Sequence, residues 1–178
     1  FSYARGRFMK CHCSGGGVQL HRAIYQSCNT YFSNSYIKTI NKYKNRSHGV
    51  DIWAKHLKSF GLGDFMGYDL PTGRKGNIPT GKTYDKAYAG WKWDGKTILS
   101  NAIGQGEVLM TPIQLANFMA TIANRGYYYT PHIVKKIKGE LINKNFRTKH
   151  TTSIDRKYFD PIVEGMNAVY GRGGTAGG

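Results

Sequence analysis

Acid is what this 178-residue sequence has little of: 10 Asp and Glu stand against 26 Lys and Arg, a formal net charge of +16. A surface of that sign attracts polyanions. The basic residues are nevertheless scattered (Lys42, Lys44 and Arg46; Lys55 and Lys58; Arg74 and Lys75; Lys135, Lys136 and Lys138). They do not line up as the single stripe of a nucleic-acid groove, so a solvated basic face is expected. Long apolar runs are missing too, and none approaches the ~20 residues that a bilayer-spanning helix needs. Neither an initiator Met nor a charged-then-apolar leader is present, so the compartment is not read from a targeting segment. Cysteine is scarce. Cys11, Cys13 and Cys28 are an odd number near the start, which leaves a disulfide plus a free thiol, a metal site and inert thiols all open. Cys11, His12 and Cys13 have the thiolate and imidazole donors that suit zinc.

What is present describes a globular chain. Hydrophobic residues make up 40%, with 13 Tyr, 8 Phe and 3 Trp, enough for one core, and no internal repeat or domain boundary is evident. After an irregular Gly-rich stretch, Leu20, Ile24, Cys28, Tyr31, Phe32 and Ile37 recur at helical steps and predict one or two amphipathic helices. Val50, Trp53, Ala54, Leu57 and Phe60 predict a short helix, closed by Gly61 in a left-handed cap. Residues 61–97 carry many Gly and Pro with little periodicity, and predict a long folded loop. Thr111-Pro112-Ile113-Gln114 is a capping box, opening a helix that runs to about Asn124. Tyr127 to Ile142 predicts two strands with a turn at Gly139-Glu140, and Tyr158 to Val169 a final helix with Pro161 early in it.

Two motifs compete for chemistry. Gly76-Asn77-Ile78-Pro79-Thr80-Gly81-Lys82-Thr83 matches the phosphate-binding loop by its letters. Such a loop works only between a hydrophobic strand and a helix, where successive backbone N–H groups cradle phosphate. Here Leu70-Pro71-Thr72-Gly73-Arg74-Lys75 precedes it and cannot be a buried parallel strand, and the octet reads as a decoy. The second motif is Ser27-Cys28-Asn29 within Ala23-Ile24-Tyr25-Gln26-Ser27-Cys28-Asn29-Thr30-Tyr31-Phe32. Alone, S-x-N is an ordinary polar pair on a helix; its surroundings change the reading.

In order along the chain follow Phe60-Gly61-Leu62-Gly63, Gly67-x-Asp69-Leu70-Pro71 and Gly76-x-Ile78-Pro79. Then come Ile103-Gly104-Gln105-Gly106-Glu107-Val108-Leu109-Met110-Thr111-Pro112-Ile113-Gln114-Leu115-Ala116, Ile122-Ala123-Asn124-Arg125-Gly126 and Pro131-His132-Ile133-Val134. This series resembles the transpeptidase domain of class B penicillin-binding proteins of the elongation type and covers most of residues 17–178. The resemblance implies an α+β fold, an antiparallel sheet with helices on both faces, of which residues 1–178 would be an internal segment of a single domain. It also implies a serine-type D,D-transpeptidase that cross-links peptidoglycan stem peptides and is acylated by β-lactams.

Such enzymes use three boxes: S-x-x-K with the nucleophile, S-x-N, and K-T-G on a strand. No S-x-x-K precedes Ser27 and no K-T-G follows it, so this chain is expected to be inactive by itself, with both boxes outside it. By resemblance Ser27 relays a proton and Asn29 holds the peptide bond of the acyl donor. The Gly-Gln-Gly at 104–106 is expected mainly to serve close backbone packing, and His132 is assigned no chemistry. The reaction calls for no cofactor, although relatives can carry a structural zinc beside the S-x-N box with the Cys28 position among its ligands. The usual carboxylate and His ligand positions upstream do not align cleanly with this sequence, where Gly15-Gly16-Gly17 occupies that region. The family also implies a membrane anchor with the domain on the periplasmic side of the bacterial inner membrane. Its expected partners are a membrane glycosyltransferase and a shape-determining scaffold protein, and no nucleic acid. The rival readings are a β-lactam sensor or β-lactamase relative, which shares the S-x-N box, and a non-catalytic module that binds polyanions.

Overall fold

The computed structural model describes residues 2–3, 7–8, 10–11, 13, 16–70, 73–141 and 143–177. His12, Gly15, Pro71, Thr72 and Ile142, all used above, lie outside them. Helices dominate: α1 (Leu20–Tyr25), α2 (Asn29–Asn41), α3 (Arg46–Lys58), α4 (Gly81–Ala87), α5 (Pro112–Ala123), α6 (Lys144–Arg147) and α7 (Asp160–Asn167). The strands are short and pair two by two, always antiparallel: β1 (Ser2–Tyr3) with β2 (Arg7–Phe8), β3 (Tyr127–Tyr129) with β6 (Lys149–Thr151), and β4 (Lys136–Ile137) with β5 (Glu140–Leu141). The expected antiparallel pairing is therefore present, but among the described residues no sheet exceeds two strands.

Two apolar clusters hold the helices together. Tyr36 and Ile40 of α2, Val50 of α3, Tyr84 of α4 and Trp93, Ile98 and Leu99 form one. Ala54, Phe60, Leu62, Ile78, Val108, Ile122 and Phe159 form the other, joining α3 to α5 and to the start of α7. Trp53 of α3 touches both, which makes α3 the shared wall. Each fully buried aliphatic or aromatic side chain contributes about 1.5–3 kcal/mol. Where α2 meets α3, a Cβ on Gly49 would lie 2.5 Å from the Ile40 carbonyl oxygen, so only glycine allows that approach.

The α5 start follows its sequence signature: the Gln114 side chain accepts the Thr111 N–H at 3.0 Å, and the Thr111 hydroxyl accepts the Gln114 N–H at 3.4 Å. Gln114 does more than cap. It is 1% exposed, and its amide donates to the carbonyls of Asp64 at 2.9 Å and Lys75 at 3.0 Å, fastening the loops on either side of Gly67 to α5. Gly61 takes φ +80° just past α3, as its capping role requires.

Three expectations need correction. The long loop over 61–97 contains α4, a seven-residue helix with Tyr84 buried and Gly81 packed against Ser47. The two strands predicted between Tyr127 and Ile142 do not pair with each other. β3 crosses to β6, while β4 and β5 form a separate hairpin. That hairpin turns at Lys138-Gly139, φ +49° and +83°, one residue earlier than expected. The two left-handed positions suit a two-residue turn whose twist matches the strands.

Candidate catalytic box at the α1–α2 turn

The S-x-N residues sit at the tight turn between α1 and α2. Ser27 N–H donates to the Ile24 carbonyl at 3.1 Å and Cys28 N–H to the Ala23 carbonyl at 2.8 Å, so the chain reverses within two residues. Ser27 takes φ +51°, left-handed for a residue with a Cβ. Such a conformation costs a non-glycine residue about 1–2 kcal/mol. Cys28 then caps α2 in extended conformation, and Asn29 is that helix's first residue. Cys28 is 1% exposed and acts as the peg of the turn, while Ser27 is exposed and Asn29 half-buried on either side of it.

Three segments converge here. Asn29 Nδ2 donates to the Lys10 carbonyl at 3.2 Å, tying the segment at 10–13 to the start of α2. From the other side, Thr175 N–H donates to the Tyr25 carbonyl at 3.0 Å. α7 lies so close against α1 that a Cβ on Gly165 would be 2.9 Å from Ile24 Cδ1. The Gly174-Thr175-Ala176 stretch thus runs beside the turn that bears Ser27. Among the described residues Ser27 Oγ makes no hydrogen bond, which leaves it free to donate and accept.

All three cysteines meet at this turn. Cys13 and Cys28 form a disulfide, and Cys11 keeps a thiol 2.8 Å from Cys13 Sγ and 3.3 Å from Cys28 Sγ. Burial works to raise the Cys11 pKa, but hydrogen bonds from Thr30 (backbone and side chain) and from the Cys13 and Asn29 backbones prevail and hold it below the usual thiol value. The three sulfurs lie within 4.8 Å of one another, as a zinc set would require. With two of them bonded to each other, however, only Cys11 offers a thiolate, and no carboxylate or imidazole joins the group among the described residues. In this state the residues do not fit zinc; of the three states open in the sequence, the disulfide plus free thiol is the one formed.

The other singled-out residues take structural places. In the phosphate-loop decoy, Asn77 bridges to Leu109 by paired backbone bonds of 2.7 and 2.9 Å, and Ile78 and Pro79 are buried. Where a phosphate would approach α4, Gly81 N–H already donates to Asp51 Oδ1 at 2.8 Å. Gly104 and Gly106 both adopt left-handed φ, +70° and +71°, around an exposed Gln105; the close packing expected of them is present only at Gly106, where a Cβ would lie 3.1 Å from Ser100 Cβ, since a Cβ on Gly104 would meet nothing within 4 Å among the described residues. His132 Nδ1 bonds the Thr130 carbonyl at 2.9 Å and its ring stacks on Phe146. Ser35-Tyr36-Ile37-Lys38 is a formal S-x-x-K after Ser27. It lies mid-helix in α2, about 9 Å along the axis and about 120° round it from Asn29, which is no place for the nucleophile of this site.

Sequence reading missed two features. Asp69 accepts the Ile133 N–H at 2.9 Å and the Val134 N–H at 2.7 Å. The Val134 bond leads in lowering its pKa; burial opposes it, and the Ile133 bond adds to the lowering. Asn101 is buried and donates to the hydroxyls of Tyr36 at 3.1 Å and Tyr84 at 2.6 Å, and Tyr84 in turn donates to Glu107 at 3.0 Å. Burial leads in raising both tyrosines, Tyr36 to about 12. Polar residues inside an otherwise helical pattern give no sign of such a network until the fold brings them together.

Residues 7–178 match the family of the penicillin binding protein transpeptidase domain. The chain belongs to the penicillin-binding transpeptidases. Among its relatives is the peptidoglycan D,D-transpeptidase MrdA of Acinetobacter baumannii, 34% identical over 124 residues, which are 70% of this chain and 17% of that protein. Among solved structures, PBP2 of Pseudomonas aeruginosa superposes with a TM-score of 0.70 at 29% identity, covering 89% of this chain and 34% of that one. PBP2 of Helicobacter pylori in complex with MreC superposes at 0.66 with 28% identity, covering 89% of this chain and 27% of that one. The transpeptidase fold expected from the motifs is thereby established, and the chain spans between 17% and 34% of the length of these relatives. No described helix is long and apolar enough to cross a membrane.

Proposed function

We propose that this chain supplies the middle catalytic box of a peptidoglycan D,D-transpeptidase, with Ser27 as proton relay and Asn29 as the clamp on the acyl donor. The observation that carries the reading is the α1–α2 turn: an exposed serine in left-handed backbone, a buried Cys28 peg, and a half-buried asparagine opening a helix. Glycine would occupy that φ without strain, and strain kept at one residue with a free hydroxyl supports a functional side chain.

On this reading a serine nucleophile attacks the carbonyl of the penultimate residue of a stem peptide, with a neighbouring Lys taking its proton. Ser27 passes that proton towards the leaving amine, since a hydroxyl donates and accepts at once. Asn29 aligns the scissile amide. Nucleophile and oxyanion strand come from polypeptide outside these 178 residues, no cofactor takes part, and β-lactams acylate the same serine. The longer protein is membrane-anchored with this domain on the periplasmic side. Its partners are a membrane glycosyltransferase and a shape-determining protein, the latter supported by the solved complex of a relative with MreC.

The test uses the longer enzyme and fluorescent penicillin. Asn29→Ala is expected to slow acylation at least tenfold, while the 178-residue chain alone takes no label. Unchanged acylation in Asn29→Ala removes that residue from the site, and labelling of the isolated chain overturns the assignment of the nucleophile.

A further inference from the structure

One surface far from the S-x-N turn in sequence has no part in the chemistry above. The loop after α4 and the start of α3 enclose a groove of about 290 Å³ lined by Lys44, Arg46, Ser47, Asp85, Trp91 and Lys92, among others. Trp91 is 81% exposed, an indole with nothing over it. Lys44, Arg46 and Lys92 are exposed, and none forms an ion pair among the described residues. Asp85 is already engaged, accepting from Ser47 Oγ and, at 3.0 Å, from the indole N–H of buried Trp93. The groove therefore has a fixed floor, three uncommitted cations and one free aromatic face. The positive pole of α3, a 13-residue helix beginning at Arg46, adds to the field.

We propose that this groove binds a carboxylate-bearing glycan. An indole face stacks on a sugar ring, and the Asn45 side-chain amide N–H groups at the edge can donate to ring hydroxyls, its oxygen being taken by the His48 N–H. The three cations meet the carboxylates. A nucleic-acid strand fits less well, because it needs a basic track with several stacking aromatics, whereas this groove is short and shows one exposed indole. A lipid surface fits less well, because no exposed Leu, Ile or Phe lines the groove to enter the acyl layer. The identity of the glycan rests on the proposed function: it is the wall strand whose acidic stem peptides the enzyme cross-links.

Binding is measured on the longer enzyme by isothermal titration calorimetry, with soluble un-cross-linked peptidoglycan strands as probe and neutral chitin oligosaccharides, anionic phospholipid vesicles and a single-stranded oligonucleotide as comparators. The expected result is saturable binding to the wall strands that weakens with salt, falls at least tenfold in Trp91→Ala, and falls similarly in Lys44→Glu/Lys92→Glu. Circular dichroism of these surface variants should match the parent chain. Absence of binding, binding unchanged in either variant, equal affinity for the neutral oligosaccharide, or preference for vesicles or oligonucleotide each overturns the inference. Penicillin acylation of the longer enzyme is scored separately, so loss of glycan binding with normal acylation in Trp91→Ala separates this groove from the catalytic box.

Discussion

The α3–α5 body and the α1–α2 turn are built on opposite terms. In the body most anchoring groups are answered inside the chain: Gln114 fills several loop bonds, Asn101 donates to two tyrosine hydroxyls while its own oxygen is left without a partner among the described residues, and two apolar clusters meet at α3. At the turn the chain provides a peg and a strain, but of the two side chains that would do chemistry Ser27 is exposed and Asn29, half-buried, is held by one bond to the Lys10 carbonyl. A framework is specified by its own residues. On the proposed reading the turn is specified by what it must meet, and part of that would lie in other polypeptide.

The contrast breaks most visibly at Gln114. Gln114→Ala orphans an N–H of α5's cap and two loop carbonyls, each costing about 1–3 kcal/mol, so the chain should lose about 4 kcal/mol in urea unfolding. A loss under about 1 kcal/mol would mean that water replaces those bonds and the body is less closed than described. Reducing the disulfide tests the other side. It closes a loop spanning 15 positions, so reduction should cost up to about 3 kcal/mol. Hydrogen exchange should quicken at Ser27–Asn29 while α3 and α5 stay protected. Faster exchange throughout would show that turn and body are one cooperative unit. Metal analysis of the same protein purified under oxidising conditions should find zinc well below one per chain.

A third measurement exploits the buried tyrosines. Because burial first, and Glu107 with it, raises the folded pKa of Tyr36 to about 12 against ~10 when unfolded, its contribution is complete below pH ~10 and is lost as pH climbs towards 12. The Tyr36 contribution, read as the difference between the parent chain and Tyr36→Phe, should therefore be constant up to pH about 10 and fall by about 2 kcal/mol over the next two units. The smallest effect on folding belongs to the turn. Asn29→Ala, which loses one half-exposed bond to Lys10, should shift the unfolding free energy by no more than about 0.5 kcal/mol even as it slows acylation in the longer enzyme. A large stability loss there would make Asn29 a structural tether and erase the contrast.

What the sequence revealed follows the same line. α5 was legible because cap, proline and apolar face agree within a dozen residues, and Gly61 because a helix end wants left-handed backbone. α4 was not, since a seven-residue helix shows a single large apolar residue, Tyr84, to the core and cannot establish a period. The β3–β6 pair was hidden because its partner lies some twenty residues on, past a hairpin. The S-x-N box was found from its neighbours, not from its own three letters. Its strained φ, the sulfur that pegs it and the carbonyl of Lys10 that meets it are tertiary facts. The cysteine spacing left the pairing open, and the fold chose Cys13 with Cys28.

Asp51 carries a lesson about reading motifs. Its carboxylate has already claimed the first amide of α4, from 30 residues upstream, where an incoming phosphoryl oxygen would have to compete with it. A glycine-lysine-threonine string promises nucleotide only if its helix arrives with that amide vacant. One acidic side chain, distant in sequence and invisible to any pattern of letters, is enough to revoke the promise.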